Sequence, residues 1–255
     1  MKNPIPVSAP ATPPVAVLLP ARRSVLFLAL TGLMYVLVLA GFWPYWRVAG
    51  ASTPPRPWII HFHAAVFTGW MVMLLAQVML VRRRQVALHQ RLGRIGIGYG
   101  VAVFMMGTVA TIVAPAVHLS RQEWTLEQAA GFLIYPAGDM ILFGTLFAAA
   151  VWYRRKSDIH KHFILLATVA LMFAPAARLM GPYGVVALLA VWLSSVLIAM
   201  AADLRTARRI HVVYIAGTAW LLVGFTRVAL EHNPTWIRLG GAFLETVTPT
   251  VARLF

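Results

Sequence analysis

Residues 58–84 read WIIHFHAAVFTGWMVMLLAQVMLVRRR. An apolar run of this length, closed by three arginines, reads as a membrane-spanning helix and its basic boundary. About 20 helical residues cross a hydrocarbon core ~30 Å thick, and Lys and Arg gather at the cytoplasmic end of such spans. Working outward, comparable apolar runs lie at 24–46, 95–117, 129–152, 161–180, 182–201 and 211–231. Gly181-Pro182 separates the fifth span from the sixth as a tight turn signal. The expected fold class is therefore all-α: a polytopic membrane protein with seven transmembrane helices in one bundle.

The chain ends flank this domain, expected at 22–231. Residues 1–21 carry Pro4, Pro6, Pro10, Pro13, Pro14 and Pro20, which supply no helical N–H and predict a disordered cytoplasmic tail. Residues 232–255 mix Trp236, Ile237, Leu239, Phe243 and Leu244 with Arg and Glu. They predict an interfacial segment on the outer face. Ala49-Gly50-Ala51 resembles a signal-peptidase site. The apolar run before it exceeds the roughly 7–15 residues of a signal core, so a retained first helix is expected.

Composition agrees with this class. The chain has 255 residues, 60% hydrophobic and 11% charged, with 22 Lys+Arg against 7 Asp+Glu and a net charge of +15. In a soluble protein that balance would suggest nucleic acid. Here the basic residues sit in short loops, where they orient the chain against anionic lipid, and no nucleic-acid partner is expected. Cysteine is absent, which excludes disulfides, thiolate zinc, iron–sulfur clusters and covalently attached c-type haem.

The loops alternate in charge. Lys2, Arg22, Arg23, Arg82, Arg83, Arg84, Arg91, Arg94, Arg154, Arg155, Lys156, Lys161, Arg205, Arg208 and Arg209 fall on one side. Arg47, Arg56, Arg121, Arg178, Arg227, Arg238 and Arg253 fall on the other. Seven spans accommodate this division, and the positive-inside rule puts the N-terminus in the cytoplasm.

Ionisable groups at membrane depth are costly and mark candidate sites. Span two places His63, Phe67, Trp70, Leu74 and Gln77 on one helical face. Span seven carries Tyr214, Gly217, Trp220, Gly224, Arg227 and Glu231 as one stripe, and Arg227 and Glu231 are spaced to pair. Asp139 lies inside span four after Pro136, and Arg178 ends span five. These residues predict a polar site in the outer half of the bundle. His63 is the candidate metal ligand or proton partner, Trp70 shares its face, Gln77 and Asp139 would orient it, and Arg178, Arg227 and Glu231 would hold an anionic group. The alternative is a purely structural network, since such groups must pair whether or not they do chemistry.

Four further histidines, His89, His160, His162 and His211, lie toward the cytoplasmic face. They form either a basic collar for lipid phosphates or, through His89 and His160, axial ligands of a haem between facing helices. No helix carries two buried histidines a turn-multiple apart, the pattern of stacked b haems. Gly96-x-Gly98-x-Gly100 follows no strand, so it is not a dinucleotide loop; Gly96-x-x-x-Gly100 predicts a close helix-packing face.

Several motifs together carry a resemblance: His63-Ala64 with Trp70 and Gln77, Leu88-His89-x-Arg91-Leu92-Gly93-Arg94, Pro136-x-Gly138-Asp139, and His160-Lys161-x-Phe163-Ile164-Leu165-Leu166-Ala167-Thr168 leading to Arg178. Over roughly residues 58–180 the chain resembles a broad group of bacterial multi-span membrane proteins that carries no assigned activity. It has a more distant likeness to transmembrane cytochrome b proteins, in which a histidine opens one helix and another opens the next, as His63 and His89 do. The resemblance implies a multi-pass protein of the bacterial inner membrane, with haem b as the candidate cofactor. Three functions follow as expectations: a small-ligand or cofactor-binding protein, b-haem or quinone-linked; a small-solute or ion transporter; or a non-catalytic scaffold subunit with a membrane-complex partner.

Overall fold

A computed structural model describes residues 21–47 and 56–255 of the chain. The tail expected at 1–21, apart from Ala21, which opens the first helix, and the Ala49-Gly50-Ala51 motif lie outside the described residues. Among these, every regular element is helical. In order they are α1 (Ala21–Arg47), α2 (Trp58–Arg82), α3 (Val86–Ser120), α4 (Leu126–Phe132), α5 (Ile134–Trp152), α6 (Ser157–Leu171), α7 (Phe173–Met180), α8 (Val185–Trp192), α9 (Ser194–Ala207), α10 (Val212–Phe225) and α11 (Pro234–Leu254). A short 3₁₀ segment, Thr226–Leu230, continues α10.

Five stretches among the described residues are long and apolar enough to cross a membrane: Val25–Tyr45, Trp58–Arg82, Val86–Ser120, Leu126–Trp152 and Val212–Leu230. The pairs α6–α7 and α8–α9 pass the same test jointly but bend by 44° and 59°, so the number reaches seven if each bent pair is one span. Within its most apolar window α2 is only 17% buried. Val72 and Leu75 are among the large apolar side chains it leaves exposed, an arrangement suited to lipid rather than water.

The breaks have local causes. Proline removes the N–H that would bond four residues back and crowds that carbonyl. Phe132 is the last residue of α4 and stands four before Pro136; Leu171 is the last of α6 and stands four before Pro175. At the α8–α9 bend no proline intervenes; Ser194-Ser195 opens the new helix, and Ser194 Oγ donates to the Val191 carbonyl at 2.8 Å. The α4 start is fixed by a capping box between Thr125 and Gln128.

Helix α3 begins well before the span expected at 95–117. It takes in His89, Arg91 and Arg94, which the sequence reading put in a loop. Residues 86–94 contain no proline and favour helix apart from Gly93, so the helix runs past the apolar segment. The expected glycine face is also displaced. Gly100 lies beneath the Phe147 ring, whereas a side chain at Gly96 would meet only Met73 Cγ, at 4.0 Å.

Helices α1, α2, α3 and α5 to α10 all contribute to the main core. Its centre is aromatic and hydrogen-bonded. Trp70 meets Phe143 and Phe147 edge-on at 5.4 and 5.6 Å and donates from Nε1 to Thr168 Oγ1 at 3.3 Å. Trp192 donates to the Val169 carbonyl at 2.8 Å. Apolar burial gives helices little drive to associate in lipid, so tight packing and such interhelical bonds hold the bundle. A second core joins α3, α4 and α11. Trp236 of α11 donates to the Ala130 carbonyl at 3.0 Å, and Leu244 is fully buried.

Candidate functional site

The residues singled out from sequence divide between two places. The first is built by the start of α5 and the end of α10. Tyr135 and Asp139 lie one turn apart on α5; Arg227 and Glu231 lie four residues apart at the end of α10. The Tyr135 hydroxyl donates to Glu231, and Arg227 Nη2 donates to Asp139, forming two parallel rungs. Arg227 also donates from Nη1 to the Gly224 carbonyl at 2.8 Å and lies 4.7 Å from the Phe173 ring centre. Gly138 allows this: a Cβ there would occupy the space of the Arg227 side chain. Arg227 thus pairs across the bundle with Asp139 and not with Glu231 along its own helix.

Neither His63 nor Arg178 is hydrogen-bonded into those rungs, although the Arg178 charge acts on both His63 and Asp139. His63 packs on Phe67 with ring centres 4.2 Å apart, and its Nδ1 is buried without a hydrogen-bond partner. Arg178 lies over Phe42 and Tyr45 at 4.7 and 5.4 Å and donates to the Ala174 carbonyl at 3.1 Å. At this end a cavity of about 280 Å³ is lined by Trp124, Gln128, Glu231 and His232 among others.

The second place is the arginine-rich end. A cavity of about 1330 Å³ opens between α1, α2, α3, α5 and α6, larger than the ~300–1,000 Å³ of most small-molecule sites. Trp70, Phe147, Leu74 and Ile164 form apolar wall; Gln77, His89 and His160 line the cavity with the smaller or more peripheral polar groups Thr31, Gln90 and Ser157. Arg82 from the end of α2, Arg84 from the turn after it, Arg91 and Arg94 from α3, Arg154 and Arg155 from the α5–α6 turn, and Lys161 from α6 line its mouth. Among the described residues, no carboxylate lines it. Apolar walls beneath a cationic rim suit an amphiphile whose head is anionic or rich in oxygen.

The two imidazoles are held differently. His160 Nδ1 lies 2.8 Å from the Ala150 carbonyl. That contact places the proton on Nδ1 and leaves Nε2 as an acceptor or metal ligand, oriented as backbone carbonyls orient many metal-binding histidines. In the amide orientation that satisfies both of its ends, Gln77 donates to His89 Nδ1 at 2.5 Å and to the His89 carbonyl at 3.2 Å, and accepts from Gly93 N at 2.9 Å. His89 then carries its proton on Nε2 and is a donor. One cavity therefore holds a donor imidazole and an acceptor imidazole.

Of the residues chosen from sequence, Trp70, Gln77, His89 and His160 line the large cavity; His63, Asp139, Arg178, Arg227 and Glu231 do not. Gln77 shares the helical face of His63, but its hydrogen bonds go to α3. The sequence places His89 and His160 in a basic collar with Arg91, Arg94, Arg154 and Arg155, but does not bring that collar around one cavity. Their convergence depends on helix packing.

Fold and site define a helical protein of membrane-spanning type with an amphiphilic cavity at its basic end. No protein-family model, curated protein or solved structure matches the chain.

Proposed function

We propose that this is a seven-span integral membrane protein, with each bent pair counted as one crossing, that binds an amphiphilic cofactor in the cavity at its arginine-rich end. The carrying observation is the conjunction of His89, His160 and six arginines, with no carboxylate, around a space of about 1330 Å³. The excess of Lys and Arg at that end supports assigning it to the cytoplasmic side by the positive-inside rule, and a bacterial inner membrane is the setting this reading adopts. This reading moves the ligand away from the outer half that the sequence suggested. There, Arg227 pairs with Asp139 and Tyr135 with Glu231, while Arg227 Nε is buried without a partner among the described residues; this reading gives the four a role in helix register.

A quinone is the favoured ligand class. Its two carbonyl oxygens and their reduced hydroxyls match one donor and one acceptor imidazole, and its ring and tail suit the apolar wall. A b-type haem is the second reading, favoured by the free Nε2 of His160 and by arginines suited to propionates. Bound haem would supply one-electron chemistry; His160 would be its ligand and Gln77 would orient His89.

The test is a visible spectrum of the detergent-purified chain, oxidised and dithionite-reduced, with chromatography of its organic extract. A quinone recovered in near-equimolar amount with a featureless spectrum supports the first reading. A Soret band with reduced α and β bands supports the second. Phospholipid alone in the extract, with no binding of added quinone or haemin, overturns both.

A further inference from the structure

Beside the cavity, but not part of it, three potential metal ligands converge. Asp158 and His162 lie four apart at the start of α6, hence on one helical face. His211 is the N-cap of α10. One ligand atom from each lies within 4.8 Å of the other two. His211 Nε2 and Asp158 Oδ2 are 3.2 Å apart, and the His162 and His211 rings lie 4.2 Å apart between centres. His162 is 4% exposed, and its Nδ1 is buried without a hydrogen-bond partner.

We propose that Asp158, His162 and His211 form a binding site for a divalent first-row transition metal, Zn²⁺ being the natural occupant, that ties the start of α6 to the start of α10. Two imidazoles and one carboxylate make a borderline-soft donor set, the type taken by Zn²⁺ with a fourth position open to water. Bonds of about 2.1 Å give a tetrahedral edge of about 3.4 Å. The His211–Asp158 separation already meets that length. The two separations to His162 close through rotation of Asp158, 59% exposed at its side chain, and of His211, 25% exposed, while His162 stays fixed. Phe27 at 6.5 Å and Tyr214 at 4.4 Å between ring centres hold the His162 ring.

Metal and proton compete here. His211 Nδ1 accepts from Val213 N at 3.3 Å, so Nε2 carries the proton that faces Asp158. A metal ion takes the place of that proton; the proton moves to Nδ1, and the long cap bond is exchanged for the metal bond. Lys161, paired with Asp158 in the absence of metal, is displaced toward the basic mouth.

The experiment titrates Co²⁺ into the purified full-length chain carrying an affinity tag without histidine, reading visible d–d absorption, with Zn²⁺ as competitor. The expected result is one Co²⁺ per chain with an intense tetrahedral-type band that one equivalent of Zn²⁺ abolishes. Asp158→Asn and His211→Ala each weaken binding by about 100-fold or more, while His160→Ala does not. His162→Phe keeps an aromatic ring in the packed position and abolishes the band. Should that variant fail to fold, the exposed Asp158→Asn decides. Wild-type affinity in Asp158→Asn and His211→Ala, or no saturable band in the parent chain, overturns the site.

Discussion

Asp139 on α5 and Arg227 at the end of α10 form a buried ion pair across 88 residues of sequence. Each compensates a charge that the apolar interior would not otherwise accept. Breaking such a pair by removing one partner costs about 3–5 kcal/mol, because the remaining charge stays buried and unpaired. Asp139→Leu and Arg227→Met are each expected to destabilise the detergent-purified chain by that amount. The double variant should recover most of the loss, because neither charge remains. Thermal unfolding followed by circular dichroism, arranged as a double-mutant cycle, checks this; additive losses would show that the pair is not coupled.

Gly138 makes room for Arg227, so Gly138→Ala is expected to cost about 1–3 kcal/mol, the usual range for overpacking. The penalty should vanish in an Arg227→Ala background, where the obstructing side chain is gone. The same unfolding assay reads both, and an equal penalty in the two backgrounds would place the strain elsewhere.

Gln77→Leu removes the group that orients His89 while leaving the His160–Ala150 contact intact. Ligand retention through purification should fall by about tenfold or more, in line with the loss of an orienting partner. The ratio of extracted cofactor to protein measures it. Retention equal to that of the parent chain would remove His89 from the site.

The lack of cysteine makes topology directly measurable. Gln90→Cys, Tyr183→Cys and Leu254→Cys all introduce thiols at exposed positions into a thiol-free chain. In intact cells an impermeant maleimide is expected to label Tyr183→Cys and Leu254→Cys, and to label Gln90→Cys only after permeabilisation. The reverse pattern would invert the orientation. Labelling of Tyr183→Cys and Leu254→Cys from opposite sides would exclude seven crossings.

Much of the fold was legible because hydropathy over about 20 residues is a local property. The break positions were half legible. Pro136 and Pro175 marked disturbed helices, and the i−4 rule assigns the ends at Phe132 and Leu171, whereas nothing as strong marked the α8–α9 bend. Helical spacing offers Glu231 to Arg227, because both lie on one stripe, but the partner that forms is Asp139. Whether an i,i+4 pair forms depends on what the neighbouring helix offers, and α5 offers Asp139 to one residue and Tyr135 to the other. Gln77 was read with His63 for the same reason, shared helical phase, while its partner came from α3.

The sequence by itself determined the class of protein, its helical content, the basic asymmetry of its loops and which buried groups needed partners. These follow from composition and spacing within single segments. Only the tertiary structure decided which partners those groups take: Asp139 with Arg227, Gln77 with His89, and Asp158 beside both His162 and His211. It also decided that a cavity of about 1330 Å³ lies at the arginine-rich end. Cavities and long-range pairs arise from how helices bend and pack against one another, and no single segment encodes that arrangement.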